Sequence, residues 1–385
     1  IPQLAPLLKS PSVEIRVEAV KGIVEIGTQH SLDPLIAATS DADPEIQIRA
    51  TDGLVNFYVP GYVRTGLSGR LQRAGQVVKA KFTDTNDQVI PGFVQVRPDV
   101  IAALGKLARG GISMDSRANA ARAVGILRGQ AAIPDLLDAM KSKDDSVLYE
   151  SLIAIQKIRD RSAGPKIRYL LRDLNEKVQI SAIETTGILQ NEEALPDLVN
   201  ALNRASSQKV KRAALTAIAM VPSESSRPIF TRFLDDKDDG LRGAAAEGFG
   251  RLKNPADKAM LEKAFEQPGK ASPRLSIAFA LVSLGTVERS EFSPLQLLIH
   301  TLNNRSRQGE AFAFLVELAR DSKVRAELHP AMAAGTKDEK IYLARALARS
   351  GDQDSVASLE KLSHDGDGDV AQEGLRALQT LRARL

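Results

Sequence analysis

Residues Glu14–Gly27, EIRVEAVKGIVEIG, decide the fold, because the chain keeps returning to them. Related segments are EIQIRATDGLVNF, SRANAARAVGIL, VLYESLIAIQKI, VQISAIETTGIL, VKRAALTAIAMV, LRGAAAEGFGRL and VAQEGLRALQTL, with weaker copies from Pro273, Arg307 and Glu339. Anchored on Ile15, the copies begin at 15, 46, 116, 147, 178, 210, 241, 273, 307, 339 and 370. That makes eleven units, spaced 31–34 residues apart except for one gap of 70. A fixed period of this length marks an array of stacked supersecondary units.

Four residues after each anchor stand Ala19, Ala50, Ala120, Ser151, Ala182, Ala214, Ala245, Ile277, Ala311, Leu343 and Gly374, mostly small. Eight after stand Ile23, Leu54, Val124, Ile155, Thr186, Ile218, Phe249, Leu281, Leu315, Leu347 and Leu378, mostly large and apolar. A further apolar column falls at offset eleven and includes Leu189, Leu252 and Leu284, all expected to be buried. Offsets of 0, 4, 8 and 11 trace one stripe of an α-helix. Pro2, Pro34, Pro134, Pro165, Pro196, Pro228 and Pro294 precede their anchors by 12–14 residues and open a second apolar-periodic stretch. Proline suits a first helical turn, where its missing N–H has no partner to lose. Turns rich in Asp, Ser and Asn follow and supply N-caps. Each unit therefore reads as helix–turn–helix.

DDGLRGAAAEGFGRL (Asp238–Leu252) resembles the Asp-x-x-Val-Arg-x-x-Ala…Ala-Leu-Gly pattern of HEAT repeats, in the short bacterial form called lyase-type. The resemblance spans the chain except residues 58–97. It implies an all-α fold, an α-solenoid of about eleven repeats forming one continuous right-handed superhelix, with the second helices on its concave face. Residues 1–57 would carry repeats one and two, and 98–385 repeats three to eleven. Ile1-Pro2-Gln3-Leu4 aligns with the opening of later first helices, so residues upstream of Ile1 are expected.

The 385 residues hold no cysteine and no tryptophan, which excludes disulfides, thiolate chemistry and Cys-ligated metals. No uninterrupted apolar run approaches a membrane span. His30, His300, His329 and His364 lack metal-ligand spacing and are expected at turns or helix ends. DGDGD (Asp365–Asp369) resembles a calcium loop, but Val370 and Arg376 stand where an EF-hand needs Gly and Glu. No phosphate loop, nucleophile elbow or dinucleotide fingerprint occurs, so no cofactor is expected. The compartment is left open.

The net charge of +4 is concentrated in residues 58–97, where Arg64, Arg70, Arg73, Lys79, Lys81 and Arg97 face only Asp84 and Asp87. The same stretch holds Tyr58, Tyr62, Phe82 and Phe93. QVVKAKF and QVIPGFVQV alternate around TDTND, which predicts a β-hairpin. Val63, Leu67, Leu71 and Ala74 could instead share a helical face. Beside this insert, a cationic column follows the anchors: Arg16, Arg117, Lys211, Arg242, Arg274 and Lys340. It reads either as a basic groove or as a ladder paired with the turn aspartates. Candidate partner-binding residues are Tyr58, Tyr62, Arg64, Arg70, Arg73, Lys79, Lys81, Arg117, Lys211 and Arg242.

The functional expectation is a non-catalytic, monomeric protein-binding scaffold for a protein partner of acidic character. The resemblance implies an alternative, an accessory enzyme similar to HEAT-type bilin lyases that acts on a partner protein. A nucleic-acid binder similar to the HEAT-like glycosylases is a third reading. The missing tryptophan and the charge balance outside the insert speak against it.

Overall fold

Nine of the eleven repeats begin the second helix in the same way, with a polar side chain three residues before the anchor. Ser12, Asp43, Ser113, Asp144, Asn175, Ser207, Asp238, Thr336 and Asp367 each accept a hydrogen bond from a backbone N–H of the turn that follows. This satisfies donors that a helix start leaves unpaired. A computed structural model describes residues 1–63, 89–267 and 271–385 of the chain. Its described residues form 21 α-helices that divide into two compact units, Ile1–Asp197 and Leu198–Leu385.

In the first unit the second helices are α1 (Val13–Ile26), α3 (Pro44–Tyr58), α5 (Met114–Ile126), α7 (Asp145–Ile158) and α9 (Glu176–Ile188). Their first-helix partners are a 3-10 helix (Ala5–Lys9), α2 (Leu32–Ala38), α4 (Pro98–Gly110), α6 (Ile133–Ala139) and α8 (Gly164–Ile167), the last continued by a 3-10 turn (Arg168–Arg172). Helix α10 (Leu195–Arg204) carries the division between the units. In the second unit the second helices are α11 (Gln208–Met220), α13 (Asp239–Leu252), α15 (Ala271–Ser283), α17 (Gln308–Leu318), α19 (Lys337–Ser350) and α21 (Gly368–Arg382). The first helices there are α12 (Arg227–Phe233), α14 (Lys258–Glu266), α16 (Pro294–Thr301), α18 (Ser322–Ala334) and α20 (Asp354–Leu362). The eleven pairs match the eleven anchors. Most of the prolines fall in the first turn of a first helix, as at α6, α8, α12 and α16.

Columns four and eight are buried in all eleven repeats. Successive second helices approach closely because their contact positions are small. A Cβ on Gly125 of α5 would lie 2.6 Å from the Cα of Ala154 in α7, and one on Gly250 of α13 would lie 2.6 Å from the Cα of Ala280 in α15. Both contacts are with backbone, so the glycine is required for the approach. Gly248 meets the Phe230 ring of α12 in the same way, at 2.5 Å.

Column eleven departs from expectation. Leu189 is 1% exposed, but Leu252 and Leu284 are only half-buried and Ile26 is exposed. This column occupies the last turn of its helix, where the connection that follows decides how much of the side chain is covered.

The expected hairpin falls, for its first arm and turn, outside the described residues. The described part of the second arm, residues 89–96, is irregular and forms no strand. It is tied by Ile90 N–H to the Ile126 carbonyl at 3.0 Å and by a turn from Pro91 to Val94. Ile90 is buried and Phe93 is exposed, so Ile90 and not Phe93 anchors this arm.

These differences in burial set a test. Leu189→Ala should cost about 2–5 kcal/mol, and Leu252→Ala markedly less, because water already reaches part of its side chain. Chemical denaturation of the two variants measures the difference. Hydrogen exchange should show protection lost around the substituted repeat and its neighbours, as in a quasi-one-dimensional array. Uniform loss along the whole chain would contradict this.

Candidate functional site

The offset-one column proves to be a helix-end clamp. The first helices are short, and their last carbonyls have no partner within the helix. The side chain one residue past the anchor reaches back to them. Arg16 donates to the Ser10 carbonyl at 2.9 Å, Arg117 to Ala108 at 3.1 Å and Arg242 to Asp236 at 2.7 Å. Glutamines do the same: Gln47 to Asp41 at 2.8 Å, Gln179 to Leu171 at 3.0 Å and Gln308 to Leu302 at 2.5 Å. Reading the column for cations alone missed these glutamines, although they occupy the same register.

The cations also join repeat to repeat. Arg16 pairs with Asp41 at 2.8 Å and Lys340 with Asp365 at 2.7 Å, each 25 residues on. Arg117 reaches the Ala139 carbonyl of the next repeat at 3.2 Å, whereas Arg242 pairs with Asp239 of its own helix at 2.5 Å. Arg117 and Arg242 are thus consumed by the ladder and form no open basic groove. In repeat six the rung is made by Arg212, which bonds Asp238 at 2.6 Å and holds that carboxyl well below the usual carboxylate range. Its neighbour Lys211 lies 5.4 Å above the Phe233 ring. The aspartates of DGDGD are engaged too, Asp365 by Lys340 and both Asp367 and Asp369 by Lys337.

Offsets three, six and ten define a different face of the second helices. Its polar residues bridge consecutive repeats, offset six of one to offset three of the next. Arg122 bonds Glu150 at 2.5 and 3.1 Å, Arg345 bonds Glu373 at 2.8 Å, and Asn119 bonds Asp52 at 3.0 Å. In the second unit Arg251 is held by Glu317 at 2.9 Å and Glu247 at 3.1 Å, with its guanidinium 4.9 Å from the Phe279 ring centre.

The insert meets this face. Val63 N–H donates to Asn56 Oδ1 at 2.8 Å, and the return arm bonds Ile126, so both arms are fixed at offset-ten positions of α3 and α5. Tyr62 drops onto the cluster of Asp52, Asn119, Arg122 and Glu150. Burial pushes its hydroxyl up to about 12, the Asp52 charge adds to this, and the charge of Arg122 and a hydrogen bond to it work against it. Burial opposes the charge of Arg122, but the Glu150 hydrogen bond and charge outweigh it, so the pKa stays above the ordinary arginine value. Tyr58 sits at the other side of the stem. Its hydroxyl accepts from Arg97 N–H at 3.1 Å, and its ring meets Phe57 edge-on at 4.9 Å. Arg97 itself pairs with Asp33 at 2.6 Å and Asp99 at 2.5 Å, which removes it from the free charge of the insert. Arg64, Arg70, Arg73, Lys79, Lys81 and Phe82 lie outside the described residues.

Three histidines stand at turns or helix ends. His329 does not: it lies inside α18 and contacts Ser355 Oγ through Nε2 at 3.1 Å. Burial lowers its pKa. Ser355 is fully buried, so the pair packs α18 against α20 and offers no reachable nucleophile. Among the described residues no group of His, Asp and Glu is arranged to hold a metal ion. No described helix is long and apolar enough to cross a membrane.

Stacked helical pairs, capped at one end and clamped at the other, define an α-helical repeat protein. The profile described as HEAT repeats matches residues 133–208 and 195–282, and the profile described as PBS lyase HEAT-like repeat matches 15–41 and 116–142. The chain belongs to the HEAT-repeat family. No curated protein matches it in sequence. Among solved structures it is similar to an engineered protein at 18% identity, covering 99% of this chain and 98% of that one with a TM-score of 0.37. It is also similar to the complex of CpcE and CpcF of phycocyanin lyase from Nostoc sp. PCC7120, at 17% identity, covering 77% and 93% with a TM-score of 0.36. Importin beta matches at 13% identity over 99% of this chain and 57% of its own, with a TM-score of 0.41.

The Tyr62 cluster makes stability pH-dependent at high pH. A tyrosine whose folded pKa is raised stabilises the fold fully below the unfolded value near 10 and loses that contribution as pH rises through the folded value of about 12. Urea titrations should therefore show the wild type losing stability between these limits relative to Tyr62→Phe, which has no proton to release. Parallel curves for the two proteins would place the hydroxyl in water.

Proposed function

We propose that the chain is a non-catalytic protein-binding scaffold. Its binding surface is the offset-three, six and ten face of the second helices, and the 58–97 insert is an auxiliary basic contact. The seating of the insert supports this reading. Both of its arms are fastened to that face, and Tyr62 is bedded in the Asp52–Arg122–Glu150 cluster. The described ends of the cationic segment are thus attached at the face it would serve. Arg97 is neutralised by Asp33 and Asp99, which leaves Arg64, Arg70, Arg73, Lys79 and Lys81 to meet an acidic protein partner. Tyr58 and Tyr62 hold the stem and do not contact the partner themselves. Arg117 and Arg242 leave the binding set, because the ladder occupies them. Lys211 stays in it as a secondary contact. The scaffold acts as a monomer in this reading, and nucleic acid is not its ligand.

The test uses partners captured by the full chain and lost when residues 64–88 are replaced by a short linker. Reversing Arg64, Arg70 and Arg73 to Glu should leave the melting curve nearly unchanged, as expected of charges that serve a partner and not the fold. The association rate with an acidic partner should fall about tenfold or more at low salt, and the deficit should shrink as salt is added. An unchanged rate at every salt concentration would remove the insert from the binding surface.

A further inference from the structure

Repeat eight, like repeats three and seven, lacks an aspartate 25 residues after its offset-one cation. Arg274 occupies its offset-one position, but Ile299 stands 25 residues on, where Asp41 and Asp365 complete the rungs of Arg16 and Lys340. The spacing to the next anchor is also stretched, to 34 residues. The result is a cavity of about 390 Å³ bordered by α14, α15 and the start of α16. Arg274 lines it, stacked 4.8 Å from the Phe265 ring centre, and its Nε has no hydrogen-bond partner. Thr286 lines it as well. Gly285, at φ +96°, turns the chain out of α15 just before this residue, and Thr286 Oγ1 has no hydrogen-bond partner either. Buried polar groups are nearly always paired, and these two have no protein partner among the described residues. Phe292, 78% exposed, stands at its mouth, an unusual position for a bare aromatic ring.

We propose that this cavity binds a single carboxylate carried on an apolar body, the terminal carboxylate or an acidic side chain of a peptide. The carboxylate takes the place of the missing turn aspartate. Arginine favours such a planar acceptor, Thr286 can donate to it, and the apolar body rests between Phe265 and Phe292. Both orphan atoms are shut off from solvent in the empty cavity, so the ligand engages the guanidinium first and reaches them as Arg274 and Thr286 adjust. Glu262 and Glu266 also line the cavity. They weaken the binding of any anion, most of all a dianion such as phosphate, and can accept N–H groups of a peptide. This site is separate from the insert and does not depend on the scaffold reading above.

The experiment follows arginine Nε–H resonances of the intact protein during titration with four probes. These are N-acetylphenylalanine, N-acetylaspartate methylamide, N-acetylphenylalaninamide and inorganic phosphate. Both acids should saturably shift one resonance, the one missing from Arg274→Lys, and should bind at least about tenfold more tightly than the neutral amide. The stronger of the two acids identifies the source as chain terminus or side chain. Arg274→Gln should abolish the preference for acid over amide, and Thr286→Val should weaken acid binding several-fold without lowering the melting temperature, since it removes an unpaired buried hydroxyl. Equal binding of acid and amide, equal binding of phosphate, an unchanged acid preference in Arg274→Gln, or no shift at millimolar probe would each overturn the proposal.

Discussion

A helix of seven residues cannot satisfy its own ends, and much of this structure follows from that constraint. Helices α2, α6 and α12 are each seven residues long, and a helix this short is unstable in isolation. Its free carbonyls must be met from outside: Gln47 and Arg242, at offset one of the next helix, do so after α2 and α12, and Arg117 of the preceding repeat bonds Ala139 at the end of α6. The offset-one donor lies four residues past the N-cap of the second helix. The residue that satisfies the start of one helix therefore sets the register of the residue that satisfies the end of the other. Arg and Gln are both long enough for the span, and only Arg extends onward to the following repeat. The ladder is thus a fastening of backbone, with charge as a secondary benefit. This explains how the cationic column can coexist with a nearly neutral solenoid.

Close packing supplies the second constraint. With Gly125 against Ala154 and Gly250 against Ala280, consecutive second helices meet backbone to backbone. Their remaining side chains are then divided between the buried stripe and the offset-three, six and ten face. The latter becomes a lattice of cross-repeat pairs, and the Tyr62 cluster is where that lattice is roofed by the insert.

Most of the architecture was legible because its signals are local and repeated. Caps three residues before most anchors, prolines in the first turn and small residues at offset four are each set by a single turn of helix. The candidate site was much less legible. Tyr62 meets Arg122 and Glu150, which lie far from it in the chain, and no spacing rule connects them. Arg117 and Arg242 look like free cations in sequence, because the groups that occupy them include backbone carbonyls, which leave no trace in the residue letters. Phe93 and Ile90 are alike in hydropathy, and only the path of the return arm decides which is buried. The half-burial of Leu252 and Leu284 depends on the connections after their helices, which repeat poorly.

The offset-six to offset-three pairing also constrains how the array could have grown or shrunk by recombination. If repeat four were excised, Arg122 would face Ser181, the offset-three residue of repeat five, in place of Glu150. A guanidinium chosen for a carboxylate would be left beside a hydroxyl, at the cost of an uncompensated buried charge. Arg345 and Glu373 bind their repeats in the same way. Each such pair acts as an address that accepts one neighbour and penalises others. The repeats share a fold, yet they are not interchangeable modules, and the order in which they stand is written on the face that joins them.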